Sequence, residues 1–472
     1  MPGKRPAVLL ITADQLRRDA LGCYGGRAVA TPHLDRLAGE GTVFDRAYTA
    51  SPWCLPSRSS LLTGRYPRNH RAYSNFREEA WLSPDLPNLY RGFGEAGYEV
   101  GHVGKCHFAP VPYDSTRPDA TLPYDDFHEH YRKLGIDHLA LQDDKQVSVW
   151  FRDDYARELE AAGHLAAYRE AVWNREARKV FTFPGPAEWH PDSWVGRKAV
   201  EWIAEADDTD DRPLFGWISF SGPHFPFDPP AEYLERVDEA ELGEPRIDPE
   251  EWTDPSRLHY RSFHGPSGGR VEGGGDRHNE PEYWRRLRKH YAANVALIDD
   301  QLGRILAAAE QRFGDDLVVI FTCDHGEMLG NHGFWGKNRC YYDDVLRVPL
   351  IVRRPGGAGA GERSDRLTSL VDVYPTLLGA AELPPDADCD GRPMDDTGHP
   401  HVFAEGEGFS TVTDGRHKLA IAHAEGVTYT ELHDTASDPG EVHNLAGLPE
   451  AAAVQRDLQA ATLDALLRTT LP

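Results

Sequence analysis

Three things are scarce in this 472-residue chain, and each scarcity narrows the reading. Long apolar runs are missing. The first hydrophobic stretch, residues 7–12, follows only two cations and is too short for a signal-peptide core, and nothing later approaches a membrane span. That stretch is therefore expected as a buried first strand, and the protein is expected in the cytoplasm, or in the periplasm or outside the cell if a leader has been removed. Paired cysteines are missing as well. Cys23, Cys54, Cys106, Cys323, Cys340 and Cys389 contain no CxxC pair, which argues against a disulfide framework and a structural zinc site. Positive charge is the third shortage: 51 Lys and Arg against 76 Asp and Glu give a formal charge of −25. Nucleic acid is an unsuitable partner for such a chain, because phosphate backbones need a basic footprint. An anionic small substrate stays admissible, since a metal ion and a few local cations reverse the field inside a pocket.

What is present is a regular alternation. Residues 7–12 read as a strand, and Thr31 with Pro32 opens a helix that closes near Gly41. A helix over 86–97 feeds a strand at 98–103. An amphipathic segment over 193–206 precedes a strand at 214–220. A long helix from about 282 to 310 precedes a strand at 317–322, and 348–352 is one more strand. This order predicts an α/β fold, a large mostly parallel sheet sandwiched by helices, with functional residues at the carboxyl ends of the strands. Residues 110–191 are less regular and are expected as an insertion over the sheet that confers selectivity. The Gly-rich stretch 265–281 reads equally as a connector or a lid. A helical pattern at 370–383 leads to a Pro/Asp/Gly-rich joint at 384–400. Hairpin-like segments follow around 418–421 and 427–432, then a closing helix over 451–467. The expected division is a catalytic domain of residues 1–384 and a small C-terminal α+β subdomain of 385–472.

The chemistry is concentrated in short motifs. Cys54-Leu55-Pro56-Ser57-Arg58, followed by Leu61-Leu62-Thr63-Gly64-Arg65, resembles the signature of the type I sulfatases, formylglycine-dependent members of the alkaline-phosphatase-like superfamily. The resemblance implies that Cys54 is oxidised to formylglycine by a formylglycine-generating enzyme. In that family the hydrated aldehyde attacks sulfur with one hydroxyl and expels sulfate by collapse of the other, an exit that serine lacks. Pro56 and Arg58 are expected to set the turn and hold the diol.

Matching motifs extend the resemblance from about Leu9 to Leu445, with a gap at 110–191. Asp14-Gln15 ends the first strand and Asp324-His325 ends another. By resemblance, Asp14, Gln15, Asp324, His325 and modified Cys54 bind one divalent metal. Many family members place two aspartates where this chain has Asp14-Gln15, so the site carries less negative charge. Calcium is the family expectation, and magnesium or manganese also accept such ligands. Gly104-Lys105-Cys106-His107, Gly222-Pro223-His224-Phe225-Pro226 and Gly333-Phe334-Trp335-Gly336-Lys337 resemble three further family elements. They imply that Lys337 and His224 hold sulfate and protonate the leaving group, that His107 takes the diol proton, and that Lys105 orients the diol. Asn75 reads either as a substrate contact or as a turn cap. His332, beside Asn331, either lines the pocket or shapes its loop. The ending with Glu431-Leu432-His433-Asp434 and Asp438-Pro439-Gly440-Glu441 also resembles the family and reads as structural.

The implied activity is hydrolysis of a small-molecule sulfate ester, with aryl, choline-type and sugar sulfates all open. The rival within the superfamily is a phosphonate monoester or phosphodiester hydrolase. Asn69-His70-Arg71 and Asp14-Gln15 resemble that branch, whereas Pro56-Ser57-Arg58 and Lys105-Cys106-His107 depart from it. A non-catalytic protein that kept the fold would be expected to lose the nucleophile or the metal ligands, and both are present. Beyond the formylglycine-generating enzyme, no nucleic-acid or membrane partner is indicated, and the oligomeric state is left open.

Overall fold

A computed structural model describes residues 5–110, 125–145, 152–174, 179–205, 212–259, 280–337, 340–395, 397–424 and 426–468. Most of the Gly-rich stretch at 265–281 lies outside the described residues. A nine-stranded sheet organises the chain, in the order β4 (His138–Leu141), β3 (Glu99–Gly104), β5 (Leu214–Pro223), β1 (Ala7–Asp14), β6 (Leu317–Cys323), β8 (Leu350–Arg353), β2 (Thr42–Tyr48) and β7 (Arg347–Val348), with β9 (Glu362–Ser369) also paired to β2. The first five of these strands are all parallel. β1, β5 and β6 are buried along their whole length, as a sheet covered on both faces requires.

The long Pro281–Phe313 helix and the Pro191–Glu205 helix pack against each other and against β5. Leu89–Glu95 forms a shorter helix than the sequence pattern suggests, because the Asn88 side chain caps it by accepting from the Arg91 N–H at 3.2 Å. Thr31 precedes the Pro32–Glu40 helix but its hydroxyl does not cap it; the oxygen instead accepts from the Gly22 N–H at 2.9 Å.

Within the mostly parallel sheet that the sequence predicts, two features depart in detail. β8 is antiparallel to β6, and β2 is antiparallel to β8. Two reversals restore the original direction, so β2 points its carboxyl end the same way as β1 and β6. The second departure lies in residues 110–191, expected as an insertion over the sheet. That stretch contributes β4 to the sheet itself, parallel to β3.

β10 (Val402–Gly406), β11 (Phe409–Thr413), β12 (His417–Ala424) and β13 (Val427–Asp434) form a separate antiparallel sheet. Side chains alternate across it. Leu419, Val412 and Leu432 pack on Leu458 of the Ala452–Arg468 helix, while Ala420, Ala422 and Phe409 pack with Tyr341, Tyr342 and Leu346. Among the described residues, no helix is long and apolar enough to cross a membrane.

Candidate active site

Strand register brings the site together. Asp14 pairs with Pro223, the residue before His224; Ala13 pairs with Cys323, the residue before Asp324; Gly104, the residue before Lys105, pairs with Ser219. Asp14, Lys105, His224 and Asp324 therefore leave four neighbouring strands at one edge of the sheet. Gly104 is required there: its φ is +100°, and a Cβ would stand 2.0 Å from the Ser219 carbonyl oxygen.

Because β2 runs in the same direction, it delivers the Cys54–Thr63 helix to this edge. All ten residues of that helix are buried. Cys54 occupies its first turn, and the Asn75 side chain accepts from the Leu55 N–H at 3.0 Å, satisfying one of the helix's free donors. The structure thus gives Asn75 the capping contact. Gly64 closes the helix in the left-handed conformation.

Donor atoms of Asp14, Cys54, Asp324 and His325 all lie within 4.8 Å of one another, and all four residues are buried. The His325 tautomer follows from its neighbours. Nδ1 donates to the Gly326 carbonyl at 3.0 Å, which leaves the Nε2 lone pair facing the cluster. That nitrogen lies 3.2 Å from Cys54 Sγ, 3.7 Å from Asp14 Oδ1 and 3.8 Å from Asp324 Oδ1. The two carboxylate separations are too long for hydrogen bonds. Burial, partly opposed by Asp324, pushes the His325 pKa down to about 4, so the ring is neutral. A lone pair and two carboxylates gathered in a buried site suit a cation.

Arg58 is wholly buried and holds the acids in place. Its Nε donates to Asp324 Oδ2 at 3.0 Å, and its Nη1 donates to the Lys105 carbonyl at 2.9 Å and to Ser219 Oγ at 2.7 Å. Ser57 Oγ donates to the Asp324 carbonyl at 2.7 Å. The Lys105 ammonium bridges Asp14 and Asp144, with 2.8 Å to Asp144 Oδ2. Burial opposes ionisation of Asp14, but the cations Lys105, Arg58 and Lys337 outweigh it and hold its carboxyl well below the usual range.

Gln15 adopts φ of +64°, and its N–H donates to Asp324 Oδ1 at 3.0 Å. Its side-chain oxygen accepts from Lys337 at 2.7 Å, while its amide nitrogen donates to Glu327. Lys337 also donates to His224 Nε2 at 2.6 Å, since the other ring nitrogen, Nδ1, donates to the Phe225 carbonyl at 2.6 Å. Burial and Lys337 keep the His224 pKa well below its ordinary value. His107 is held by its backbone, whose N–H donates to Asp143 Oδ1 at 2.7 Å. Neither of its ring nitrogens has a hydrogen-bond partner among the described residues. Burial pushes the Cys54 thiol up to about 12, with Asp14 adding to the effect, so the unmodified side chain is a protonated thiol.

The structure places His332 in a loop-shaping position: Nδ1 bonds Glu251 at 2.6 Å and the ring stacks on Tyr342 with centroids 3.9 Å apart. Sequence reasoning missed Asp143, Asp144 and Glu327. The first two follow β4, a strand of only four residues. Glu327 stands two positions after Asp324-His325, and only the fold turns its carboxylate toward Gln15 and the N–H groups of Leu329 and Gly336.

The family profile described as Sulfatase matches residues 6–383. The chain is 28% identical over 483 residues to the uncharacterized sulfatase YidJ of Escherichia coli strain K12, covering 98% of this chain and 87% of that protein. An arylsulfatase of Clostridium perfringens is 27% identical over 466 residues, covering 94% and 91%. Among solved structures, the phosphonate monoester hydrolase of Agrobacterium radiobacter superposes with a TM-score of 0.79 at 25% identity, covering 99% of this chain and 96% of that one.

Proposed function

This chain belongs to the sulfatase family, and from that premise we propose that it hydrolyses a sulfate monoester using a formylglycine made from Cys54 beside a divalent cation. The observation that carries the reading is the convergence of Asp14, Cys54, Asp324 and His325 on one buried point, faced by Lys105 and Lys337. Asp14, Gln15, Asp324, His325 and the side chain at position 54 would hold the metal. Two carboxylates and an amide oxygen suit calcium, with magnesium or manganese as alternatives, and the imidazole is the one nitrogen donor beside them. A bound cation supplies Lewis acidity toward the ester oxygens. Formylglycine supplies a hydrated aldehyde, and with it a second hydroxyl that serine lacks.

The remaining work belongs to residues of the chain itself. Arg58 fixes the orientation of Asp324, and Lys105 fixes that of Asp14. Lys337 carries the proton of its pair with His224, so its ammonium is the donor for the departing alkoxide while it also attracts the anionic ester. His107, a buried imidazole with both nitrogens unpartnered among the described residues, is available to accept a proton from the nucleophile. Because the Cys54–Thr63 helix is fully buried, a formylglycine-generating enzyme must reach this segment before the fold closes.

The second reading is a phosphonate monoester or phosphodiester hydrolase. Gln15 and the likeness to the Agrobacterium radiobacter enzyme support it. A turnover panel on protein with confirmed formylglycine tests the choice. The expected result is a kcat/KM for an aryl sulfate at least about tenfold above that for the matched aryl phosphonate, equivalent to about 1.4 kcal/mol of transition-state preference. Preference for the phosphonate would transfer the assignment to the second reading.

A further inference from the structure

Asp144 stands apart from the other buried acids of the site. Asp14 and Asp324 belong to the cluster with Cys54 and His325, and Asp144 does not. Even so, a carboxylate oxygen of Asp144, an oxygen of Asp14 and a ring nitrogen of His224 lie within 4.8 Å of one another. The position follows from β4, whose Leu141 pairs with Gly104 and so sets the residues beyond both strands side by side. Lys105 Nζ donates to Asp144 Oδ2 at 2.8 Å, and the Asp144 side chain is only 7% exposed. Its partner at that distance is an ammonium, so the ion pair sets a carboxylate, not a neutral acid, in a pocket whose lysines attract anions. The carboxylate weakens that attraction in proportion to the charge of whatever binds.

We propose that Asp144 is a specificity-determining residue, a charge filter that favours singly charged esters and speeds the departure of doubly charged anions. The inference rests on the sulfate-ester reading of the same pocket. A sulfate monoester enters with one negative charge, and inorganic sulfate leaves with two. A phosphate monoester above its second ionisation, at about pH 6, also carries two. One extra unit charge at a distance of about 5 Å, in a medium of effective dielectric about 20, corresponds to more than tenfold in binding even after partial screening by Lys105. Asparagine at this position removes the charge and keeps an oxygen for Lys105.

The test uses the full-length protein with Asp144→Asn and Asp144→Glu, each checked for melting temperature and for modification at Cys54. Calorimetric titration with inorganic sulfate should show Asp144→Asn binding at least about tenfold tighter than wild type, and Asp144→Glu close to wild type. At pH 8 the ratio of kcat/KM for an aryl phosphate to that for an aryl sulfate should rise at least about tenfold in Asp144→Asn alone, with a smaller rise at pH 5. Unchanged sulfate affinity in folded Asp144→Asn would overturn the proposal, as would an equal gain for singly and doubly charged esters. Should neither variant fold, Asp144→Ser is titrated with inorganic sulfate in the same way. Binding tighter than wild type supports the filter, and unchanged affinity overturns it. Failure of the wild type to cleave aryl sulfates would refute the functional reading while leaving the anion titrations as an independent measure of the filter.

Discussion

The Nε2 atom of His224 accepts a hydrogen bond from the Lys337 ammonium at 2.6 Å, so the proton of this pair sits on lysine. If Lys337 donates that proton to the departing alcohol, its loss matters most where the alcohol is a poor leaving group. Lys337→Ala should reduce kcat/KM for alkyl sulfates by at least about a hundredfold and for a nitrophenyl sulfate by clearly less. A plot of rate against leaving-group pKa should steepen. Equal losses on all esters would reduce Lys337 to an anion-binding role.

Cys54 should act through its modification. Cys54→Ala should abolish turnover, and Cys54→Ser should permit at most one sulfation event, because serine offers no second hydroxyl for release. Intact mass after incubation with substrate distinguishes the two variants. Sustained turnover by Cys54→Ser at rates near wild type would remove the basis for the formylglycine reading.

Metal occupancy should follow the charge of the ligands. Asp14→Ala and Asp324→Ala each delete an anionic donor from the buried cluster and should lose most of the bound cation. Gln15→Ala deletes a neutral amide and should lose less. Elemental analysis of the purified variants is the measurement, and full occupancy in both aspartate variants would show the cation to lie elsewhere.

Two buried histidines should make the fold sensitive to acid. Burial pushes His70 and His102 down to about 3, from an ordinary value of 6.5. The unfolded chain takes up these protons below pH 6.5 and the folded chain does not, so stability falls with pH from there down to about pH 3. At pH 5 each histidine should cost about 2 kcal/mol relative to pH 7. His102→Asn keeps an acceptor for the Tyr90 hydroxyl and removes the titration. Denaturant midpoints measured between pH 7 and 5 should therefore decline less steeply in this variant than in wild type.

Asn75 should prove a stability residue. Its side chain satisfies the Leu55 N–H at the start of the Cys54–Thr63 helix, so Asn75→Ala should cost about 1 kcal/mol and Asn75→Asp should restore most of it. A melting series reads the difference. If Asn75→Ala leaves stability intact but raises KM, the side chain serves substrate instead.

Much of the architecture was legible in the sequence because buried parallel strands are continuous apolar runs, and β1, β5 and β6 are such runs. β4 was not, since a four-residue strand within a charged stretch carries too little pattern to stand out. β10 and β11 were missed for a related reason, lying just beyond a Pro- and Gly-rich joint whose composition reads as loop. The reversed direction of β8 was equally hidden, because hydrophobicity reports burial and says nothing of strand polarity.

By itself, the sequence marked the side chains to which the family resemblance assigns the chemistry. Cys54 with Arg58, Asp14 with Gln15, Asp324 with His325, and the lysines and histidines of three short motifs all stand in local patterns whose residue types suit a metal and an anion. Tertiary structure alone decided what each one touches. Parallel register set Asp14, Lys105, His224 and Asp324 at one sheet edge, and the two reversals around β8 turned the Cys54 helix toward them. A backbone carbonyl chose the His325 tautomer, and the short β4 carried Asp144 beside Lys105, where an acid that reads as surface charge becomes a buried charge of the pocket. The reason is physical: these contacts join residues up to about three hundred positions apart, and no local pattern encodes a distance that strand pairing creates.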